Sequence, residues 1–199
     1  MLTFVYGETE IVHLKLRDKK LAAVIDEIGH IQRAVNPDVF AALIDSIVGQ
    51  QISAKAAVTV GNRLHILCGG DYKNIYTLTH EEIQACGMSM RKAGYIKGVA
   101  DAAESREIDF AALPDKSDDE IIKTLTALPG IGVWTVEMLL IFSLQRKNIV
   151  SYGDLAIRRG MMKLYGLKEL PKDKFLRYAK RYAPYGTVAS LYLWELSHI

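Results

Sequence analysis

The sequence predicts an all-α fold, on three observations. Helix-start signatures recur along the 199 residues, amphipathic runs of helical period follow them, and strand patterning is confined to the amino terminus. Half of the residues are apolar and 24% are charged, enough to bury a real core without disulfide or metal staples.

Taken in order, Asp18 precedes KKLAAVIDEIG, Asn36-Pro37 opens DVFAALIDSIVGQ, and Ser53 precedes AKAAVTVGNRLHILC, which stops at Gly69-Gly70. Each pairs a residue suited to capping orphaned amides with an apolar stripe. Thr79 with Glu82, and Ser117 with Glu120, have the spacing of a capping box, so helices begin at both places. Further helical patterns run through MRKAGYIKGVADAAES, DEIIKTLTALPG, GVWTVEMLLIFSLQ, LAIRRGMMKLYG, KDKFLRYAKRYA and TVASLYLWELS, with Pro114, Pro171 and Pro184 in the gaps. TFVYG and EIVHLKL alternate in the manner of strands, but they are too short to predict a sheet.

Composition narrows the class. No apolar run reaches the ~18 residues of a membrane span, and the first residues are charged from Glu8 onward, so a soluble cytoplasmic chain is expected. Cys68 and Cys86 stand alone without a Cys-x-x-Cys, and the five histidines are scattered, which speaks for idle thiols and against structural zinc or an iron-sulfur cluster. Net charge is only +2, yet residues 146–181 hold eleven Lys or Arg against Asp154, Glu169 and Asp173. That stretch, at +8 against −6 for the remainder, is either a solvated face or a footprint for phosphates.

The most informative segment is LTALPGIGVWTVEMLL, an apolar helix interrupted by Leu128-Pro129-Gly130-Ile131-Gly132 and resumed at once. Two glycines allow a tight turn and close backbone approach. The amides of Gly130, Gly132 and the next helical turn would then face outward with the helix dipole behind them, an arrangement suited to phosphate. An ordinary αα-hairpin whose glycines only let the helices pack is the alternative. Asp154 stands 22 residues beyond Gly132, directly before a helix, in VSYGDLAIRRG. An acid there is either a plain N-cap or a reacting carboxylate.

LPGIGVWTVE followed by GDLAIRRG resembles the helix-hairpin-helix DNA glycosylase superfamily and, within it, the AlkA-type DNA-3-methyladenine glycosylase II family. Ile47–Ser53 is similar to that family's turn at the lesion, and GMSMRKAGYIKGVA to its next helix, so that the resemblance spans residues 18–199. It implies two helical lobes, residues 38–146 and residues 1–37 plus 147–199, with the active site in the cleft between them. It implies duplex DNA with damaged bases as partner, a monomer, no membrane and no cofactor. Asp154 falls at the catalytic aspartate. Gln51 falls at the wedge that enters the duplex, beside Gln50, though either amide could instead cap neighbouring backbone. Leu128, Gly130, Ile131, Gly132 and Trp134 fall on the DNA-backbone hairpin, where the carbonyls of Thr126, Leu128 and Ile131 would hold a Na or K ion. Trp134 and Met138 fall at the base pocket, with a core tryptophan as the alternative and Tyr6, Tyr152, Tyr185 and Trp194 as further candidate walls.

The chain departs from relatives that cut the strand, which carry a lysine where Trp134 stands, so no Schiff base is expected. It ends LWELSHI, without the four cysteines of the iron-sulfur branch, and only ~36 residues precede the first core helix, leaving little of the prototype's β-rich amino-terminal domain. The expected reaction is hydrolysis of the bond to an alkylated base such as 3-methyladenine or 7-methylguanine, leaving an abasic site. Excision of neutral deaminated bases, and a non-catalytic DNA-binding module, are the competing readings. A carboxylate facing a phosphodiester is of no use to a mere binder, which favours the enzyme.

Overall fold

The structure, a computed structural model, describes residues 2–198. It is helical throughout: α1 (Glu8–Arg17), α2 (Lys19–Ile28), α3 (Val39–Gly49), α4 (Ala54–Leu67), α5 (His80–Ala85), α6 (Met90–Glu104), α7 (Asp118–Leu125), α8 (Val133–Phe142), α9 (Leu155–Tyr165), α10 (Lys172–Tyr182) and α11 (Gly186–His198), with short 3-10 turns at Tyr72–Thr77 and Phe110–Asp115. Among the described residues the β-pairing is a single antiparallel bridge between Thr3 and Ala34. None of the described helices is long and apolar enough to cross a membrane.

Four of the predicted starts hold their helices by the predicted chemistry, while α3 begins later than Asn36-Pro37, capped by Asp38, whose Oδ1 accepts the Ala41 amide at 2.9 Å. Asp18 Oδ1 accepts the amides of Lys20 and Leu21, Ser53 Oγ that of Ala56, and the Thr79–Glu82 and Ser117–Glu120 pairs each close both halves of a capping box. The alternating EIVHLKL stretch is α1. Glu8 and Glu10 in its first turn and Lys15 and Arg17 in its last match the helix dipole, and Glu10 Oε2 accepts the Gly7 amide at 3.0 Å.

The chain divides into two compact units, Met1–Asn36 with Leu140–Ile199, and Pro37–Leu139. The second boundary falls inside α8, between Leu139 and Leu140, rather than after residue 146. The reason lies at Phe142, whose carbonyl accepts the Asn36 amide at 2.8 Å and whose ring stacks on Trp194 at 5.5 Å.

The unit of both chain ends is built on α9 and α11, with Ile157, Met161, Phe175, Tyr182, Tyr192 and Leu193 in its core. Gly160 sets the approach of these two helices. A Cβ there would lie 2.0 Å from the Leu193 carbonyl oxygen, so no other residue fits without moving backbone. A polar knot closes the far end of α9. The Tyr165 hydroxyl donates to the buried Asp18 carboxylate and meets the Tyr182 hydroxyl at 2.8 Å, and burial pushes both phenols up.

The central unit, Pro37–Leu139, buries Leu43, Ile44, Ile47, Leu64, Ile83 and Ile96. Cys68 and Cys86 are buried and free, and burial raises both thiols above their ordinary range.

Candidate active site

In the central unit, α7 ends at Leu125 and the turn that follows is closed by backbone bonds, Leu128 N to Leu125 O and Ile131 N to Leu128 O, both at 3.2 Å. Leu128 and Ile131 turn inward and are buried, while Pro129, Gly130, Gly132, Val133 and Trp134 are exposed. The two glycines have different reasons to be there. Gly130 has φ +83°, and a Cβ on it would sit 2.2 Å from the Tyr95 ring, so the fold alone demands it. Gly132 lies outside the left-handed region, and an added Cβ would meet nothing within 4 Å. It opens α8, its carbonyl accepting the Val136 amide at 3.2 Å. Nine other helical starts, at Asp18, Asp38, Ser53, Asp71, Thr79, Ser89, Asp109, Ser117 and Asp154, carry a side chain that caps. At Gly132, as at Gly7 before α1, the chain forgoes a cap it had room for. Packing explains Gly130 but not Gly132, where the open space leaves the backbone approachable by an external anion.

Gln50 and Gln51 form the bend between α3 and α4. Gln50 Nε2 donates to the Gly130 carbonyl at 3.0 Å, so it does cap neighbouring backbone, and the backbone it caps is the hairpin. Gln51 is exposed with φ +58°, a left-handed conformation uncommon for a residue with a side chain, and Ile52 beside it is 39% exposed. Trp134 is 47% exposed, which removes the core-tryptophan reading, and Met138 one turn on is half-buried.

In the other unit, Asp154 is the N-cap of α9. Asp38, Asp71 and Asp109 cap from exposed positions, whereas Asp154 is buried at 7% exposed, as is Asp18 at 6%, whose carboxylate is taken up by the Lys20 and Leu21 amides and the Tyr165 hydroxyl. Its Oδ1 accepts the Ile157 amide at 2.9 Å and the Trp194 indole N–H at 3.2 Å. A buried carboxylate needs such donors, because an uncompensated one is strongly disfavoured away from water. Trp194 is held in turn by stacking on Phe142. Beside them, Tyr152 carries the Arg158 guanidinium over its ring at 5.1 Å and the Lys172 ammonium at 5.8 Å, with Phe175 edge-on at 5.2 Å.

Of the aromatic candidates, the structure brings Trp194 to Asp154, as an anchor for the carboxylate; the sequence suggested only a wall. Forty residues separate the two, and no local pattern announces the bond. Tyr6 and Tyr185 have other work. The Tyr6 hydroxyl accepts the Ile31 amide at 2.7 Å while its ring stacks on His30, and Tyr185 meets His13 edge-on.

A family model described as "HhH-GPD superfamily base excision DNA repair protein" matches residues 44–184, a span that takes in the Gln50–Gln51 bend, the hairpin and Asp154. The chain belongs to the HhH-GPD superfamily. Among its HhH-GPD relatives, DNA-3-methyladenine glycosylase 1 of Schizosaccharomyces pombe is 37% identical over 163 residues, which are 79% of this chain and 72% of that protein. The crystal structure of a DNA-3-methyladenine glycosidase from Bacillus halodurans superposes with a TM-score of 0.88 at 38% identity, covering 99% of this chain and 93% of that one. The 3-methyladenine DNA glycosylase of Schizosaccharomyces pombe, solved in complex with abasic DNA, superposes with a TM-score of 0.83 at 32% identity over 96% of this chain and 98% of that one. The all-α fold of this HhH-GPD chain is therefore the fold of alkylbase glycosylases.

Proposed function

We propose that this HhH-GPD protein is a monofunctional DNA glycosylase of base excision repair, which everts alkylated bases from duplex DNA and hydrolyses their bond to the sugar. The observation that carries the reading is Asp154, a buried carboxylate at a helix start with one oxygen pinned by a backbone amide and an indole N–H. A base inside a duplex is out of reach, so it must first be rotated out, at a cost of a few kcal/mol that is smallest for damaged pairs. The hairpin holds the phosphate backbone through amides at Gly130, Gly132 and the first turn of α8, and Gln51 braces the gap that the base leaves. The turn carbonyls of Thr126, Leu128 and Ile131 suit a monovalent cation that would bridge to the same phosphate; the Leu128 carbonyl, already accepting the Ile131 amide, would offer its second lone pair.

Departure of a cationic base builds positive charge on the sugar, and a fixed carboxylate is what that transition state requires. Asp154 stabilises the charge and orients water; Trp194 and the Ile157 amide keep it aimed without lending it a proton donor of their own acidity. With no identified general acid, the site favours leaving groups that are already positive. The exposed indole of Trp134, with Met138, offers an electron-rich wall that adds about 1 kcal/mol of selectivity for a cation. Trp134 supplies no amine, so the product is an abasic site in an intact strand.

Single-turnover release from duplexes that each bear one defined lesion tests the reading. 3-Methyladenine and 7-methylguanine are expected to leave faster than hypoxanthine or uracil, and Asp154→Asn to abolish release while keeping the N-cap bond and the affinity for abasic duplex within a few fold. Hypoxanthine released as fast as 7-methylguanine would overturn the alkylation reading, and near-normal release by Asp154→Asn would remove Asp154 from the mechanism.

A further inference from the structure

The bend at Gln50–Gln51 and the phosphate-binding turn at Gly130 are joined in a closed bracket, all of it within the unit Pro37–Leu139. Helix α6 supplies two of the fastenings from one face. Lys92 Nζ donates to the Val48 carbonyl at the end of α3, at 2.8 Å, and Tyr95, three residues on, packs its ring under Gly130 so closely that a Cβ there would lie 2.2, 2.5 and 2.6 Å from three ring carbons. Burial lowers the Lys92 ammonium from its ordinary range, in keeping with a structural donor. The third side is Gln50, whose amide crosses from the bend to the Gly130 carbonyl at 3.0 Å. Of the two neighbours in the bend, Gln50 is half-buried and turned to the hairpin, and Gln51 is exposed in a left-handed backbone. A side-chain-bearing residue stays in that region only where its surroundings hold it there.

We infer that Gln50 is a positioning residue that couples the grip on the DNA backbone to eversion of the base, by making the Gly130 turn and the Gln51 bend one rigid piece. The inference rests on the glycosylase reading and on Gln51 as the group that enters the duplex. With the bracket closed, a phosphate seated on the hairpin fixes where Gln51 stands, and insertion costs no further ordering of the bend. With Gln50 unable to donate, the hairpin still binds phosphate, but Gln51 is no longer registered to it.

The test separates grip from eversion. Gln50→Glu keeps the shape but sets a carboxylate against a carbonyl, and Gln50→Met keeps the length without a donor. Binding of undamaged duplex is followed by anisotropy, and eversion by the fluorescence rise of 2-aminopurine placed beside an alkylated base, a readout that needs no bond cleavage. Gln50→Met should bind undamaged duplex within about twofold of the parent, Gln50→Glu somewhat more weakly because its charge faces the phosphate, and both should lose eversion by roughly tenfold beyond any loss of binding, the ratio one hydrogen bond supplies. Release of an alkylated base set opposite an abasic gap, where no pair has to be opened, should fall much less than release from a matched duplex. An undiminished fluorescence rise in both variants overturns the coupling, as does an equal loss of release from matched and gapped duplexes, the signature of general damage to the fold. A parent protein that gives neither a fluorescence rise nor base release on any duplex would instead overturn the glycosylase reading, and the coupling with it.

Discussion

Gly160→Ala should loosen the platform under Asp154. The added Cβ would lie 2.0 Å from the Leu193 carbonyl oxygen, 2.7 Å from its carbon and 3.0 Å from its Cα, whereas ordinary contact begins at 3.4 Å. The obstacle is backbone, so no rotamer relieves it, and α9 and α11 must part by about 1.4 Å along that line. Overpacking of this kind costs about 1 to 3 kcal/mol, and the upper end applies because a whole helix has to move. The same displacement carries Trp194, the next residue after Leu193, and a 3.2 Å bond to Asp154 does not survive it. The protein has two tryptophans, Trp134 and Trp194, and they fall in different units. In a Trp134→Phe background, fluorescence during urea unfolding therefore reports the unit that contains Gly160. The expected result is a midpoint lowered by the equivalent of about 2 to 3 kcal/mol, together with slower base release measured well below the transition. A variant within about 0.5 kcal/mol of its parent would show that the two helices are not locked at this point, and the account of Gly160 would fall.

Trp194→Phe keeps a ring on Phe142 but removes the indole donor; single-turnover release should slow by roughly tenfold while abasic-duplex affinity stays put, and an unchanged rate would mean that the indole N–H does not aim the carboxylate. Gly130→Ala meets both a left-handed φ and the Tyr95 ring, so it should lower thermal stability, whereas Gly132→Ser should raise stability by a few tenths of a kcal/mol and weaken binding to damaged and undamaged duplexes alike. Binding indifferent to Gly132→Ser would count against phosphate at the hairpin. Borohydride added during turnover should trap no enzyme–DNA adduct, because Trp134 has no amine to form an imine; a trapped adduct would point to a lysine elsewhere.

What could be read in the sequence was whatever is written locally. Asp18, Ser53, Thr79 with Glu82, and Ser117 with Glu120 announce their helices because a capping side chain and the amides it satisfies lie within three residues of each other. α1 was not legible, because its alternation mimics a strand and its dipole-matched charges are a weaker signal than hydrophobic period. Asp154 was visible as an acid before a helix, but nothing nearby distinguishes it from Asp38, which caps α3 in the same way from an exposed position. The difference is Trp194, forty residues away, just as the partner of Gln50 is eighty residues away at Gly130. Bonds of that span depend on how helices pack, and packing is not written in any window of the chain.

Gly132 bears on any attempt to make this protein sturdier. Helix starts favour Ser, Thr, Asp or Asn over glycine by a few tenths of a kcal/mol, and at residue 132 there is empty space to receive one. Ranked by calorimetry alone, Gly132→Ser would enter a stabilised variant among its first changes, as a free gain. With DNA held at the hairpin, its hydroxyl would occupy the volume in which a phosphate oxygen has to arrive. The helix would be better terminated and the protein worse at holding DNA, a conflict between robustness and activity compressed into one missing side chain.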